Sequence, residues 1–418
     1  MFRDRLLEVA DSFFSNPRKE PEALRMSLRA LVRPARRWLA EKRLPEPARA
    51  ALRRDRAGLP AADPGISASV EAAIAWLGCA QDRSSSQDGG VARHYSLIGG
   101  WSASYPETSG YIVPTLLDWA RDEHDDDAAA RAQRILDWLV SIQFPEGGFQ
   151  GGVIGQTPRV SVTFNTGQIL LGLAQGVAYF GEAYREPMCL AADWLASTID
   201  DDGCWRSAPS PFAAPDDKVY DMHVAWGLLE ASRQVPQSRW SDVALRNVHW
   251  ALAKQRENGW FESCCLNDPA HPLTHTLGYA LRGLLEAHRF DGGTELLEAA
   301  RRTADGLLNS VGPDGTLAGR LHADWSPAVG WVCLTGSAQV AHCYLMLYEQ
   351  TEDARYRDAG RRLNAFVRRT VCIDGPQGVR GGVRGSFPIN GDYARFEYLN
   401  WAAKFFVDSN RLEARLCG

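Results

Sequence analysis

One phrase recurs six times along this chain, and its spacing constrains the fold more than any other feature. Its clearest copy reads WLVSIQFPEGGFQGG, and others read WLASTIDDDGCW and WALAKQRENGWF. The copies begin 56 to 62 residues apart, at Trp76, Trp138, Trp194, Trp250, Leu307 and Phe366. Three of them place a glutamine five residues after the tryptophan, at Gln81, Gln143 and Gln255. A period of this kind indicates an array of similar structural units.

Each unit reads as a helical hairpin. The phrase closes a helix with a 3.6-residue hydrophobic period, such as AARAQRILDWLVSIQ, and its glycines permit a sharp turn. A second, more apolar helix such as FNTGQILLGLAQGVAYF follows. Units of this size exceed the roughly 34 residues of tetratricopeptide repeats and the 40–47 of armadillo repeats. We predict an all-α fold, an (α/α)6 toroid of six helical hairpins with the apolar helices inside.

Residues 1–65 stand outside the repeat and are predicted to form a basic helical N-terminal extension and linker, followed by the toroid at 66–418. Residues 1–60 hold 15 Lys/Arg against 8 Asp/Glu, whereas the whole chain carries a net charge of −5. That charge argues against nucleic-acid binding. The extension either packs on its own body or makes a peripheral membrane contact. No signal peptide or membrane span is visible, and the nine cysteines are scattered. We therefore expect a cytoplasmic protein, peripheral at the inner membrane if the extension binds lipid.

The repeat W-L-x3-Q-x3-G-G-F resembles that of squalene and hopene cyclases and of protein prenyltransferase β subunits, over about residues 66–410. Three segments, DGGVARHYS, Ser104–Ile112 and Asn400–Asp408, are more similar to bacterial toroid proteins of exopolysaccharide-biosynthesis clusters with prenyltransferase/squalene-oxidase-type repeats. The first resemblance implies a terpenoid-cyclase-like toroid. The second implies a glycan context without supplying a reaction.

Polar side chains recur at one level near the start of the apolar helices. Buried polar groups need partners, so a set in register indicates a wet central cavity. The candidate catalytic residues are Glu107, Tyr111, Asp221, His223, His275, Tyr279 and Glu397. The candidate substrate-binding residues are His94, Trp101, Tyr105, Asn165, Trp331, Gln339, Arg384, Tyr398 and Asn400.

These residue types favour carbohydrate chemistry on an acidic glycan or a lipid-linked oligosaccharide. A uronate lyase or epimerase needs a Tyr or His base and a group that neutralises the sugar carboxylate. A glycoside hydrolase needs two opposed carboxyl groups, for which Glu107, Asp221 and Glu397 are the acids at the right level. The candidate residues include more tyrosines, histidines and asparagines than carboxyl groups, which favours proton abstraction over hydrolysis.

Two other functions stay open. A terpenoid-cyclase or prenyltransferase-type enzyme needs an acidic motif, and DDKVYD, with Asp216, Asp217 and Asp221, is one residue too long for D-D-x-x-D. A non-catalytic scaffold of a polysaccharide-assembly complex needs none of these side chains. Zinc-ligand types occur at Cys264, Cys265, His271 and His275, but adjacent cysteines hold one tetrahedral ion poorly. We therefore expect no cofactor.

Overall fold

The structure is a computed structural model and describes residues 41–418. This part of the chain contains thirteen α-helices and five short strands. The helices are α1 Glu46–Arg56, α2 Ile66–Asp82, α3 Pro106–Glu123, α4 Asp126–Ile142, α5 Thr163–Phe180, α6 Arg185–Thr198, α7 Met222–Gln234, α8 Trp240–Leu252, α9 Thr274–Asp291, α10 Thr294–Leu308, α11 Leu334–Thr351, α12 Ala354–Arg368 and α13 Asn400–Cys417. The strands are β1 His94–Ser96, β2 Gly100–Trp101, β3 Val332–Cys333, β4 Ser386–Phe387 and β5 Glu397–Leu399. The predicted helical extension lies for the most part outside the described residues.

The chain divides into one compact unit that ends at Arg53 and another that runs from Arg54 to Gly418. In the described part of the first unit, Glu46 forms ion pairs with Arg49 and Arg53 at 2.8 and 2.6 Å. Within residues 41–418, no helix is both long and apolar enough to cross a bilayer.

The second unit is a closed double ring of helices. The inner ring consists of α3, α5, α7, α9, α11 and α13, each packed on the next, and α13 returns to α3. The outer ring consists of α2, α4, α6, α8, α10 and α12, and each of these helices precedes its inner partner in the chain. The predicted (α/α)6 toroid of six hairpins is confirmed.

The recurring glycine of the phrase packs directly on the next outer helix. Gly147 and Gly259 adopt φ of +101° and +83°, where only glycine is unstrained. A Cβ at either position would overlap a backbone carbonyl, that of Leu190 on α6 or of Arg302 on α10. Gly203, Gly315 and Gly381 repeat this overlap, whereas a Cβ at Gly89 would only touch the carbonyl of Arg134 on α4. Gly381 meets Ala72 of α2 and so joins the last hairpin to the first.

The recurring glutamine ties the same two parts together. Gln143 Nε2 donates to the carbonyl oxygens of Gly147 and Pro187, both at 2.9 Å. Gln81 makes the equivalent pair of bonds to Gly89 and Arg131 at 2.9 and 3.1 Å. The phrase therefore fastens each turn to the neighbouring outer helix, which explains its repetition.

Glycines also bring the inner helices close together. A Cβ at Gly172 of α5 would overlap the carbonyl of Gly110 on α3, and one at Gly227 of α7 would overlap that of Gly167 on α5. The inner ring is therefore narrow, and side chains that point inward meet across it.

The two ends of the ring carry connections of different length. Links from an inner helix to the next outer helix contain two to five residues, whereas links from outer to inner helices contain between 20 (143–162) and 31 (369–399). All the long links meet at the face where the inner helices begin. There β1 pairs antiparallel with both β2 and β5, with Tyr95 opposite Trp101 and Tyr398, and Val332 of β3 pairs with Phe387 of β4.

Candidate active site

Tyr279 is the centre of a buried aromatic and imidazole cluster inside the inner ring. Its ring centroid lies 4.5 Å from that of His223 and 4.4 Å from that of His275. Its hydroxyl lies 3.4 Å from that of Tyr111 across the ring. Four predicted site residues from α3, α7 and α9 therefore meet, which their shared level on the inner helices led us to expect.

Both histidines are held by a glutamine from a neighbouring inner helix. The amide oxygen of Gln168 accepts from His223 Nδ1 at 2.6 Å, and that of Gln339 accepts from His275 Nδ1 at 2.9 Å. Burial lowers the pKa of His275 to about 4 and that of His223 well below its usual value. Both imidazoles are therefore neutral at pH 7. With the proton on Nδ1, each Nε2 keeps a lone pair that can accept a proton.

Several polar atoms around this cluster are buried without a hydrogen-bond partner among residues 41–418. They are Gln168 Nε2, His223 Nε2 and Gln339 Nε2. An unsatisfied buried polar atom costs about 1–3 kcal/mol, so proteins rarely keep several in one place. Their position in the first turns of adjacent inner helices indicates a site that a polar ligand completes.

Glu107 supplies a carboxyl group beside the cluster. It is the second residue of α3 and accepts a hydrogen bond from the Tyr105 hydroxyl at 2.6 Å. Burial raises the pKa of Glu107 to about 7, although the Tyr105 bond and the Arg93 guanidinium act in the opposite direction. A carboxyl with this pKa can both give and take a proton at neutral pH.

Arg93 and Glu397 line a more open part of the site. The pairing of β1 with β5 brings them together, with Arg93 Nη1 at 3.4 Å from Glu397 Oε2 and 2.9 Å from His94 Nδ1. The Arg93 guanidinium also lies 5.1 Å from the Trp401 ring centroid, which is 6.2 Å from that of Tyr105. Burial raises the pKa of Glu397, and burial together with Arg93 lowers the pKa of His94 to about 4. Arg93 is thus a half-exposed cation beside a neutral imidazole.

Asp221 lies in a separate cavity beside the cluster. Burial raises its pKa to about 8, so the carboxyl is mostly protonated at neutral pH. Of the other acids in DDKVYD, Asp217 is tied to Arg206 at 2.9 Å and Asp216 is exposed. Within the described residues these three acids do not converge as metal ligands do, which weighs against the diphosphate chemistry of the terpenoid alternative.

Four predicted substrate-binding residues have structural partners instead. Arg384 forms a buried ion pair with Asp55 at 2.6 Å, and its guanidinium is therefore engaged. Asn400 Nδ2 donates to the carbonyl of Ala92 at 3.0 Å, which fixes the first long loop to α13. Tyr398 is buried beside Gly382, and Trp331 packs over Gly319.

Two more predicted groups also have other contacts. Trp101 stacks at 5.4 Å on Trp76 and at 5.0 Å on Tyr95, at the edge of the β1–β2 pair. Among the zinc-ligand types, Cys264 Sγ donates to the carbonyl of Thr276, while His275 is bonded to Gln339. Within residues 41–418 no three His, Cys, Asp or Glu side chains converge as metal ligands do.

Sequence reasoning missed several residues of the site, namely Arg93, Phe164, Gln168, Tyr393, Trp401 and Phe405. Gln168 follows Asn165 by three residues, so helical spacing alone could have placed both on one face. Tyr393 lies in the last long loop, where its hydroxyl accepts from Trp401 Nε1 at 2.9 Å and its ring lies 5.5 Å from His275. No period marks such a loop residue.

The fold has clear relatives among solved structures. An unsaturated glucuronyl hydrolase specific for heparin matches with a TM-score of 0.67 and 16% identity, over 85% of this chain and 98% of that one. D-mannose isomerase matches with a TM-score of 0.67 and 13% identity, over 85% and 99%. Cellobiose 2-epimerase from Bacillus thermoamylovorans B4167 matches with a TM-score of 0.64 and 11% identity, over 80% and 95%. No protein-family model and no curated protein matches the chain. At these identities the likeness establishes the α/α-toroid fold.

Proposed function

We propose that this chain is a carbohydrate-active enzyme that removes a proton from a ring carbon of an acidic sugar, as an epimerase or lyase does. The observation that carries the proposal is the pair of neutral imidazoles, His223 and His275, on either side of Tyr279. Each is oriented by a glutamine so that Nε2 can act as a base. The sugar enzymes among the structural relatives support a carbohydrate substrate.

Each residue of the site has its own role in such a reaction. The proton at C5 of a uronate is acidic because the adjacent carboxylate can take up the electron pair as the C–H bond breaks. His275 Nε2 accepts that proton, and the Arg93 guanidinium stabilises the charge that develops on the carboxylate. In epimerisation, Tyr279 or Glu107 returns a proton to the opposite face of C5. In elimination, protonated Glu107 gives its proton to the leaving oxygen at C4 as the C4–O bond breaks.

A glycoside hydrolase is the second candidate, because two carboxyl groups with raised pKa, Glu107 and Glu397, flank Arg93. In that reaction one carboxylic acid protonates the glycosidic oxygen and the other, ionised, activates water or attacks the sugar. The unsaturated glucuronyl hydrolases among the relatives are consistent with this reaction. Hydrolysis gives a new reducing end without an unsaturated sugar, whereas elimination gives both and epimerisation gives neither.

A proton NMR time course in D2O with a panel of uronate-containing oligosaccharides tests the proposal. We expect deuterium at C5 or new unsaturated protons with the full chain. Glu107→Gln and His275→Gln should each slow the reaction about 10²–10⁴-fold. His249→Gln is the matched control, because this exposed histidine of α8 bonds only the carbonyl of Leu245. New reducing ends alone would establish the hydrolase, and an unchanged panel would refute enzymatic action on these sugars and favour the scaffold.

The proposal extends to a lipid-linked or nascent oligosaccharide in polysaccharide biosynthesis. It rests here on the resemblance to proteins of exopolysaccharide clusters and on the basic charge of residues 1–60, which suits an anionic membrane surface. Cosedimentation with anionic and neutral vesicles checks this extension. The full chain should bind the anionic vesicles, and a chain lacking residues 1–40 should not.

A further inference from the structure

A cavity of about 290 Å³ adjoins the candidate active site and takes no part in the chemistry proposed above. It lies between the first residues of α5, the 3₁₀ turn Val219–Asp221 and the loop that follows α6. Its volume is close to what one or two sugar rings require. Phe164 and Tyr220 form an aromatic corner in its wall, with ring centroids 5.2 Å apart at 82°, and Trp205 lines it as well.

Two polar groups of this cavity lack side-chain partners in the part of the protein that the structure describes. Thr163 is 5% exposed, and its Oγ1 has no hydrogen-bond partner there. Asp221 is also 5% exposed, and within residues 41–418 its carboxyl group makes no side-chain hydrogen bond or ion pair. A hydroxyl and a carboxyl that stand beside aromatic rings are the groups that bind sugars in proteins, since they exchange hydrogen bonds with ring hydroxyls.

The two basic side chains of the cavity already have hydrogen-bond partners. The Arg206 guanidinium bonds Asp200, Asp202 and Asp217 at 2.8 to 2.9 Å. Lys218 Nζ donates to the carbonyls of Cys265 and Leu266, each at 3.2 Å. Both cations that line the cavity are therefore engaged in hydrogen bonds, and the acids Asp216 and Asp217 line it as well. The cavity therefore suits an uncharged ligand better than an anionic one.

Phe164 connects this cavity to the central cluster. One of its neighbours is Tyr220 in the cavity wall, and the other is Tyr279, whose ring centroid lies 5.2 Å from its own. Phe164 therefore stands between the cavity and the central cluster, so that one aromatic side chain separates the two.

We propose that the cavity bounded by Thr163, Phe164, Tyr220 and Asp221 is a second carbohydrate subsite, which binds an uncharged sugar ring adjacent to the ring held at Tyr279. The choice of a sugar as ligand rests on the proposed function. The apolar C–H face of the ring packs on Phe164 and Tyr220. Thr163 Oγ1 and the Asp221 carboxyl bind its hydroxyls. Because burial raises the pKa of Asp221 to about 8, the carboxyl can donate as well as accept at neutral pH.

Direct binding of neutral sugars tests this subsite without any need for turnover. Saturation-transfer NMR would measure glucose, maltose, cellobiose and lactose on the full chain. At least one neutral disaccharide should bind, and more tightly than glucose. Thr163→Val and Asp221→Leu should each weaken that binding about three- to tenfold, the loss expected for one hydrogen bond. Asp221→Asn keeps a neutral donor and acceptor and should bind like the wild type.

The control is Asp216→Asn, because Asp216 is an exposed acid at the rim of the same cavity and should not affect binding. If Asp221→Leu does not fold, the pH dependence of sugar binding provides the second measurement. Wild-type binding should weaken as pH rises through about 8 and ionises Asp221, whereas Asp221→Asn should not change. Absence of binding by the wild type, or wild-type affinity in both Thr163→Val and Asp221→Leu, would overturn the subsite. The same pH dependence in the wild type and Asp221→Asn would also overturn it. Failure of the deuterium experiment with intact binding would instead refute the proposed reaction alone.

Discussion

At the scale of single residues, the site depends on ionisable groups whose charge burial removes. Glu107 and Asp221 have raised pKa values of about 7 and about 8, and His275 has a lowered one of about 4. Near pH 7, Asp221 and His275 are therefore largely neutral and Glu107 is about half protonated. All three can exchange protons or hydrogen bonds with a polar, uncharged part of a ligand. Arg93 adds a guanidinium group whose side chain is 34% exposed.

The raised pKa of Asp221 has a consequence for stability. The native carboxyl holds its proton up to about pH 8, whereas the unfolded one, with an ordinary pKa of 3.8, loses it above about pH 4. Because the native state binds more protons between these limits, the free energy of unfolding should fall as pH rises through this window. Asp221→Asn should therefore lose less thermal stability between pH 5 and 9 than the wild type, as measured by melting temperature.

Asp216→Asn is the matched variant for that measurement, since an exposed acid should leave the wild-type pH slope in place. The slope is the readout, because the amide can shift the absolute melting temperature for other reasons. Equal slopes for Asp221→Asn and the wild type would show that Asp221 ionises normally in the native state.

At the scale of elements, the contact between a turn glycine and the next outer helix determines how hairpins stack. Gly259 combines positive φ with a backbone contact to Arg302 of α10, whereas Gly155 has a similar φ, +85°, and open space around it. These two positions separate conformational strain from packing.

Gly259→Ala should lower the urea midpoint more than Gly155→Ala does. Both substitutions incur the strain of a non-glycine residue at positive φ, about 1–3 kcal/mol. Only at Gly259 must α10 also move away to make room for the new methyl group. Similar urea midpoints for the two variants would mean that α10 moves without a loss of stability. The positive φ would then be the sole reason for a glycine at this position.

The sequence predicted the elements well and the site in part, for reasons that particular residues show. The phrase occurs in six copies, and a helix boundary that is unclear in one copy is clear in another. The hairpins and their order could therefore be predicted. Tyr111, His223 and Tyr279 occupy the same level of the inner helices, and this position was enough to predict that they belong to one site. The pairing of β1 with β5, which places Arg93 beside Glu397, joins loops about 300 residues apart and has no local signal. The partner of Arg384, Asp55, precedes the repeat altogether.

At the scale of the whole molecule, closure of the ring distinguishes this chain from an open array of repeats. Gly381 packs on Ala72 of the first outer helix, and Trp76 Nε1 donates to the carbonyl of Gly378 at 2.9 Å. The first and last hairpins therefore support each other, and no hairpin has a free end.

Closure predicts that Gly381→Ala weakens the whole ring rather than its last hairpin alone. Far-UV circular dichroism and tryptophan fluorescence should report one shared unfolding transition at lower urea than in the wild type. Gly330→Ala serves as the control, because a Cβ there meets nothing within 4 Å. An early partial transition in Gly381→Ala would show that the hairpins unfold separately, as they do in linear repeats.

The glutamine and glycine contacts of the repeated phrase also separate what must stay constant in this protein from what can change. Each long loop leaves from a turn fastened to the neighbouring outer helix and ends at an inner helix packed on both sides. Its two ends are therefore fixed by contacts that do not involve its middle, and loops of 20 to 31 residues occur between equivalent anchors. A descendant of this sequence can gain, lose or exchange loop residues, and with them the shape of the site, while the ring that holds the imidazoles in place is inherited intact.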